Sequence, residues 1–349
     1  MFQPPRCPHH DCSQHRRPET NFYQRHGRYR PKCRPWPVQR YRCKTCRRTF
    51  SRQTFRADYR DHRPDINQAF FLSLATGIGL RQTARNLGLS LSATQAKFKK
   101  MARHLRRLNL NLRGKLAPGA ILQFDELETF ESRRNTRPLS VPILIERETR
   151  YIVWAEAAPI RPRGKMTKAR RRAIRQEEQR FGPRNDLSGR SVKRTLARGA
   201  ELAGELPFVV FQSDEKSTYP KLAREAFGNS RLLHVKTNSK LARMSWNPLF
   251  PINHTEAMAR DSMSRLRRES WLGSKKRRCL DLALNMWMAY RNLVRRRFNY
   301  DEESPAQMLG FTDRRLTPGE VLSWRQDWGR ESVHPLSRSG VTIARRRAA

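Results

Sequence analysis

Apolar residues recur at helical spacing in the part of the chain that follows the first sixty residues. They predict one helix from about Ile66, a short helix over residues 80–87, and a third helix after a turn at Gly88. Ser90 or Ser92 can cap this third helix. Its predicted buried face consists of Phe98, Met101 and Leu105.

The third predicted helix also has a polar and basic face. Two short helices joined by a glycine-containing turn form a helix-turn-helix, in which the second helix enters the major groove of DNA. The side chains that such a helix would offer to the groove are Thr94, Gln95, Lys97, Lys99 and Lys100. An ordinary helical hairpin would have the same pattern.

From Leu116 onward the pattern changes to short β-favouring runs. The stretches "ILQFDELETF" and "PLSVPILIERETRYIVWAEAA" predict three consecutive antiparallel strands, with a polar turn near residues 146–149. A helix, the strand "PFVVFQSD", a second helix and the strand "SRLLHVKT" follow. The buried face of the first of these helices is predicted to consist of Val192, Leu196 and Leu202. This order predicts a mixed sheet flanked by helices, as in the ribonuclease-H-like fold.

The net charge of the chain indicates which kind of molecule it binds. The chain has 73 lysines and arginines against 31 acidic residues, which gives a formal net charge of +42. Such a surface concentrates polyanions, and nucleic acid is the commonest of them. No apolar run reaches the length of a membrane span, and the first residues lack the apolar stretch of a secretion signal. We therefore expect a cytoplasmic protein that binds nucleic acid and no membrane.

Four of the six cysteines form two clusters near the N-terminus. The stretch "RCPHHDC" contains Cys7 and Cys12, and "YRCKTCRRTFS" contains Cys43 and Cys46. In a reducing compartment such clusters indicate metal ligands rather than disulfides, and four thiolates suit a structural Zn²⁺. The first cluster is unusually wide, which leaves alternative ligands. These are His9, His10 and Cys33.

Acidic residues stand at the ends of two predicted core strands. Asp125 closes the first strand and Asp214 the fourth, and these two strands are neighbours in a ribonuclease-H-like sheet. Glu256 falls in the first turn of a later helix, which Asn253 or Thr255 can cap. Three neighbouring carboxylates repel one another unless a cation neutralises them, and oxygen-only ligands suit Mg²⁺ or Mn²⁺. The pattern therefore predicts a magnesium site. Other candidate acids near these positions are Glu126, Glu128, Glu131, Glu215 and Asp261.

Two further segments have no clear place in this pattern. The stretch "RPRGKMTKARRRAIRQ", residues 161–176, carries eight basic residues and no acid. It predicts a basic helix that either faces DNA or is a disordered arm. The chain from about Asn299 is interpreted as a peripheral extension.

Together these motifs resemble those of an insertion-sequence DDE transposase with an N-terminal zinc ribbon and a helix-turn-helix. The resemblance extends from Cys7 to about Asn292. The motifs that carry it are "YRCKTCRRTFS", "ARNLGLS", "FDELETF", "SDEKSTY" and "NHTEAMARDSMSRLRRESW" followed by "SKK". The chain departs from the family in its wide first cysteine cluster and its long basic insert.

The resemblance implies a metal-binding catalytic triad of Asp125, Asp214 and Glu256. It implies Mg²⁺-dependent cleavage and transfer of DNA strands by two-metal, in-line phosphoryl transfer. The strand-transfer surface would be lined by Arg260, Arg265, Arg267 and Lys275. The expected partners are the double-stranded DNA of element ends and target, bound by a homodimer or larger assembly. The expected setting is a prokaryotic nucleoid.

The expected fold is a multidomain α+β protein. Its predicted parts are a zinc ribbon (1–60), a helix-turn-helix domain (61–114), a ribonuclease-H-like α/β catalytic domain (115–298) with a basic insert at about 161–190, and a C-terminal extension (299–349). A catalytically inactive DNA-binding regulator derived from a transposase is the alternative function. An RNA-guided nuclease fits less well, because its cysteine pairs would stand inside or after the nuclease region.

Overall fold

The computed structural model describes residues 2–31, 35–112, 114–267 and 272–325. The N-terminal module begins with a short helix and continues as a three-stranded antiparallel sheet in the order β1-β2-β3. Its elements are α1 (Ser13–Arg16), β1 (Tyr23–Tyr29), β2 (Val38–Cys43) and β3 (Thr49–Ser51), followed by a 3₁₀ turn (Arg52–Phe55). Its small core consists of aromatic side chains and three cysteines.

Three helices come next, as the apolar spacing predicts. They are α2 (Asn67–Ala75), α3 (Leu80–Asn86) and α4 (Leu91–Asn111). Gly88 makes the turn before α4 with a φ of +62°, a backbone conformation that glycine adopts without strain. The Ser90 hydroxyl caps α4 by accepting a hydrogen bond from the Ala93 N–H at 3.2 Å. The predicted inward residues Phe98, Met101 and Leu105 are buried.

The remaining described residues form a six-stranded sheet with helices on both faces. The strands are β4 (Ile121–Phe130), β5 (Pro138–Glu146), β6 (Ile152–Ala155), β7 (Ala158–Pro159), β8 (Val209–Asp214) and β9 (Leu232–Thr237). The helices are α5 (Lys168–Phe181), α6 (Ser188–Ala203), α7 (Tyr219–Phe227), α8 (Phe250–Ser262), α9 (Arg277–Ala289), α10 (Pro305–Met308) and α11 (Pro318–Ser323), with a π-helical turn (Tyr290–Val294) after α9.

The sheet is mixed, in the order β6-β5-β4-β8-β9, with β7 paired to β5. Strands β4, β5 and β6 are antiparallel neighbours, whereas β8 and β9 run parallel to β4. The predicted mixed α+β architecture with a mixed sheet is therefore confirmed. The predicted polar turn also occurs, because β5 ends at Glu146 and β6 begins at Ile152.

Side chains alternate between the two faces of the sheet and divide the interior into two layers. On one face, Phe124 packs in a cluster with Leu196 of α6 and Phe227 of α7. On the other face, Ile143 packs with Ile252 of α8 and Trp287 of α9. The α6 residues predicted to point inward, Val192, Leu196 and Leu202, are buried. This alternation follows from the two-residue period of a strand.

The three-helix segment shares the first of these clusters with the sheet. Phe70 of α2 and Leu105 of α4 belong to the same core as Phe124. The predicted boundary at residue 114 therefore does not separate two hydrophobic cores.

The interpretation of residues 299–325 as peripheral is wrong. Phe311, Val321 and Trp324 are buried in the shared core. The Phe311 ring lies edge-on to Tyr151, with 5.1 Å between the ring centroids. It also packs so closely on Gly114 that a Cβ there would lie 2.0 Å from a ring carbon. The extension therefore completes the core; residues 326–349 lie outside the described residues.

Candidate active site

The four clustered cysteines meet at one point of the N-terminal module. The sulfur atoms of Cys7 and Cys46 are 3.7 Å apart, and those of Cys12 and Cys43 are 3.8 Å apart. All four lie within 4.8 Å of one another. A tetrahedral site with Zn–S bonds of about 2.3 Å requires sulfur atoms about 3.8 Å apart. The cluster can therefore bind one metal ion, and its spacing is consistent with structural Zn²⁺.

The alternative histidine ligands, His9 and His10, do not join this group. Among the described residues, the four cysteines form the group without a histidine. The His10 ring instead hydrogen-bonds to the His15 ring at 3.0 Å, and His15 Nδ1 lies 2.8 Å from the Cys7 carbonyl oxygen. Cys33 lies outside the described residues.

The strands β4 and β8 bring Asp125 and Asp214 to corresponding positions. Their parallel ladder ends where Gln123 lies opposite Gln212, and each aspartate is two residues further along its strand. A two-residue step keeps the side chain on the same face of the sheet. Asp214 is the last residue of β8, as predicted. Asp125 does not close β4, because β4 continues to Phe130 through its pairing with β5.

Glu256 lies in the middle of α8 rather than in its first turn. The helix begins at Phe250, with Pro251 in its first turn, so neither predicted cap starts it. The Thr255 hydroxyl instead donates to the Pro251 carbonyl oxygen inside the helix at 2.9 Å. Glu256 is buried, and the nearest pair of charged atoms in its ion pair with Arg260 is 3.6 Å apart.

A buried glutamine ties α8 to the sheet. Gln123 Nε2 donates to Gln212 Oε1 at 2.7 Å and to the Pro248 carbonyl oxygen at 2.6 Å. Its Oε1 accepts the N–H of Ile252, in the first turn of α8, at 3.1 Å. Glu256 follows Ile252 by one helical turn and is thereby held on the side of α8 that faces the sheet. The signal in the sequence was a glutamine at the centre of an apolar strand, a position that polar residues seldom occupy without partners.

The three predicted carboxylates line one cleft of about 250 Å³. Asp125 comes from β4, Asp214 from β8 and Glu256 from α8. The rest of the lining includes the acids Glu126 and Glu128, two leucines, and polar and basic residues such as Asn238, Arg243, Asn253 and Arg260. Among the described residues, only the four cysteines bring three or more such ligand atoms within 4.8 Å. The three carboxylates therefore face a common space without closing around one point.

Burial raises the pKa of Asp125, and the charge of Asp214 raises that pKa further, against the hydrogen bond that Asp125 accepts from the Glu126 N–H. Arg243 acts in the opposite direction. A divalent cation between the two aspartates would remove this repulsion, and the oxygen-only donor set suits Mg²⁺ or Mn²⁺.

Glu126 is held by other side chains. Its carboxylate accepts hydrogen bonds from the Ser140 hydroxyl at 2.6 Å, from the Tyr219 hydroxyl at 2.8 Å and from Lys216. Burial acts to raise the pKa of Glu126, but the hydrogen bonds from Lys216, Ser140 and Tyr219 and the charge of Lys216 together lower that pKa. Glu126 also lines the carboxylate cleft, but its carboxylate is held by these partners rather than left open to the cleft.

The remaining acidic candidates are less well placed than the triad. Glu131 is buried and accepts a hydrogen bond from Arg184 at 3.0 Å. Glu215 and Asp261 are exposed and do not line the cleft, whereas Glu128 is exposed at its rim. The acidic residues that line the cleft are therefore Asp125, Asp214 and Glu256 together with Glu126 and Glu128.

The four basic residues that were predicted to line a strand-transfer surface differ in location and exposure. Arg260 lines the carboxylate cleft, and Arg267 and Lys275 are exposed. The prediction is wrong for Arg265, which packs inward with its guanidinium carbon 5.3 Å from the centre of the Phe98 ring and donates to the Ser274 hydroxyl. Burial lowers the pKa of Arg265.

The α4 residues that were predicted to face a groove of DNA differ in their exposure. Gln95 is exposed and Lys99 is half-buried. Thr94 is fully buried and donates to the Ser90 carbonyl oxygen at 2.8 Å, so its predicted outward orientation is wrong. Lys100 donates to the Tyr59 carbonyl oxygen, and burial lowers its pKa. The helical period alone placed these residues, and the chain before α2 covers part of that face.

Lys97 is a structural residue in this arrangement. Its ammonium group lies 2.6 Å from an Asp61 carboxylate oxygen and donates to Asn67 Oδ1. We expect Lys97→Met to lower the free energy of unfolding by about 2 kcal/mol, because it leaves a largely buried carboxylate without its cation. Thermal denaturation would measure the loss. Arg103→Met, an exposed position on the same helix, is the matched control and should change stability little. Equal melting temperatures for the two variants would contradict a structural role for Lys97.

No protein-family model matches the chain, and no curated protein matches it. No helix within the described ranges is both long enough and apolar enough to cross a bilayer.

Proposed function

We propose that the chain is a DDE-type DNA transposase that binds the ends of a mobile element and catalyses Mg²⁺-dependent strand cleavage and strand transfer. The observation that carries the proposal is the cleft lined by Asp125, Asp214 and Glu256 in a chain with a net charge of +42. A strongly basic protein attracts a polyanion, and an acidic cleft within it can bind the cations that phosphoryl transfer to and from that polyanion requires.

The topology supports the same proposal. Three antiparallel strands followed by two strands parallel to the first, in the order β6-β5-β4-β8-β9, resemble a ribonuclease-H-like fold. In that arrangement β4 and β8 are neighbours, and α8 is joined to β4 by the hydrogen bond between the Ile252 N–H and Gln123. The cysteine cluster and the α3–α4 pair correspond to the zinc ribbon and helix-turn-helix of the resemblance. Gln95 and Lys99 are the α4 residues that would reach a DNA groove.

The chemistry would proceed without a covalent protein–DNA intermediate. In cleavage, a water oxygen forms a bond to phosphorus, the bond from phosphorus to the 3′ oxygen breaks, and a proton passes from the water to that oxygen. In joining, this new 3′-hydroxyl attacks a phosphodiester of the target and loses its proton, and the displaced 3′ oxygen takes up a proton. Mg²⁺, when held by Asp125, Asp214 and Glu256, would stabilise the charge that develops on the attacking and leaving oxygens.

The protein's own groups would hold and orient the reactants. Asp125, Asp214 and Glu256 would hold the cations. Arg243 and Arg260 would neutralise non-bridging phosphate oxygens at the cleft, because guanidinium groups bind phosphate through paired hydrogen bonds. Both element ends must meet in one complex, so we expect a dimer or larger assembly on DNA in a prokaryotic nucleoid.

A strand cleavage and joining assay tests the proposal. The substrate is end-labelled DNA that spans the ends of the native locus, incubated with the full chain, Mg²⁺ and a supercoiled target plasmid. We expect nicks at the element ends and products in which those ends are joined to the plasmid. Tight binding of the ends without cleavage in Mg²⁺ or Mn²⁺ would instead support a DNA-binding regulator derived from a transposase.

A further inference from the structure

A second, larger cleft continues from the carboxylate cleft. A space of about 170 Å³ shares Asp125, Asp214 and Glu128 with the carboxylate cleft, and shares Glu128 and Arg163 with a cleft of about 420 Å³. The three spaces therefore form one continuous groove. We call its larger part, the cleft of about 420 Å³, the arginine groove. Its basic lining residues are Arg134, Arg161, Arg163, Arg170 and Arg267.

The basic insert forms one side of the arginine groove and is anchored to the sheet. Glu177 of α5 forms ion pairs with Arg133 and Arg137 at 3.3 Å, and Arg137 also pairs with Glu131. Arg184 joins the far end of the insert to Glu131 at 3.0 Å. The acids of this region thus bind the insert to the turn between β4 and β5. These ion pairs join α5 to the β4–β5 turn, and no residue of α5 itself is buried.

The arginines of the groove keep charge available for a partner. Among the described residues, Arg134 and Arg161 are exposed and make no ion pair with a carboxylate. Arg170 donates to the Asn135 carbonyl oxygen at 3.1 Å, which uses the guanidinium without neutralising it. Arg163 pairs with Asp186 at 3.3 Å, in an exposed position where such a pair contributes little. Glu128 is the single acid in the lining of the larger cleft.

We propose that the arginine groove binds the phosphate backbone of the DNA strand whose scissile phosphate lies in the carboxylate cleft. The inference rests on the proposed function. Successive phosphates along the strand would meet guanidinium groups of the insert on one side and of the β4–β5 turn on the other. Guanidinium groups match phosphate geometry with paired donors, and contacts to the backbone carry no sequence preference. The insert would therefore hold DNA next to the cleft whatever its sequence.

The salt dependence of DNA binding measures how many contacts the arginine groove makes with phosphates. We compare wild type with the double variant Arg134→Gln/Arg161→Gln by fluorescence anisotropy on a short labelled duplex, with Ca²⁺ in place of Mg²⁺. Each lost phosphate contact should reduce the slope of log K against log salt by about 0.9, so the double variant should lose about two units. The matched control is Arg296→Gln/Arg315→Gln, two exposed arginines outside the groove, which should leave the slope close to that of wild type.

The double variant Arg134→Lys/Arg161→Lys keeps both positive charges. It therefore shows whether a change in slope is caused by lost charge or by a change in folding. It should recover most of the slope, because lysine also displaces a counterion. All variants should melt at the wild-type temperature, since the replaced side chains are exposed. Equal slopes for the groove and control variants would overturn the inference and leave the proposed function intact when wild type still cleaves. A wild type that binds no DNA would overturn both.

Discussion

Asp125→Asn and Asp214→Asn are each expected to lower the rate of DNA strand cleavage by at least about 10³-fold, which corresponds to about 4 kcal/mol of transition-state stabilisation. Each substitution replaces an anionic metal ligand by a neutral amide of the same shape. The affinity for DNA should not fall, because the substitution removes negative charge from the binding cleft. Single-turnover cleavage with saturating protein measures the rate, and anisotropy measures the affinity.

Glu215→Gln is the matched control for these variants. Glu215 is adjacent to Asp214 and exposed, and it does not line the cleft. The control should cleave within about threefold of wild type, because an exposed charge outside the site contributes little. Cleavage by Asp125→Asn and Asp214→Asn at the rate of Glu215→Gln would mean that neither aspartate takes part in the reaction.

Cys43→Ser is expected to remove bound zinc and unfold the N-terminal module. The core of this module is a few aromatic rings around Cys7, Cys12 and Cys43, so the free energy of metal binding supplies much of its stability. Structural Zn²⁺ contributes about 10–16 kcal/mol of apparent binding free energy in small modules. Elemental analysis should find one zinc per chain in wild type and none in the variant. Limited proteolysis should then cut within residues 2–60.

Cys279→Ser is the control for zinc binding, because Cys279 lies on α9, away from the cysteine cluster. It should retain one zinc per chain and resist proteolysis as wild type does. Retention of zinc by Cys43→Ser would show that the cluster is not the binding site. Loss of zinc by both variants would point instead to general unfolding.

The strand pattern and the two aspartates were predictable from the sequence. Short β-favouring runs define β4 and β8, and the register of parallel neighbours then brings Asp125 level with Asp214. The four-cysteine cluster was also predictable, because the CxxC spacing of Cys43 and Cys46 suits a metal ligand pair and Cys7 and Cys12 supply a second, wider pair. These features depend on local sequence, so no knowledge of the tertiary structure is needed to find them.

Features that depend on tertiary contacts were not predictable. The start of α8 moves to Phe250 because Gln123 and the turn before the helix hold its first N–H groups, whereas the sequence offered Asn253 and Thr255 as caps. Lys97 belongs to a polar helical face by its spacing, yet Asp61 occupies that face. The C-terminal segment is rich in proline and charge, and its few apolar residues nevertheless complete the shared core.

Anomalous scattering from Mn²⁺ offers the decisive test of the metal centre. Crystals of the chain with a short DNA duplex would be grown in Ca²⁺ and transferred to Mn²⁺, with data collected near the manganese edge. The proposed function predicts one or two peaks within bonding distance of Asp125 and Asp214, with Glu256 as a further ligand. Manganese bound elsewhere on the chain, with no peak between Asp125 and Asp214, would contradict it.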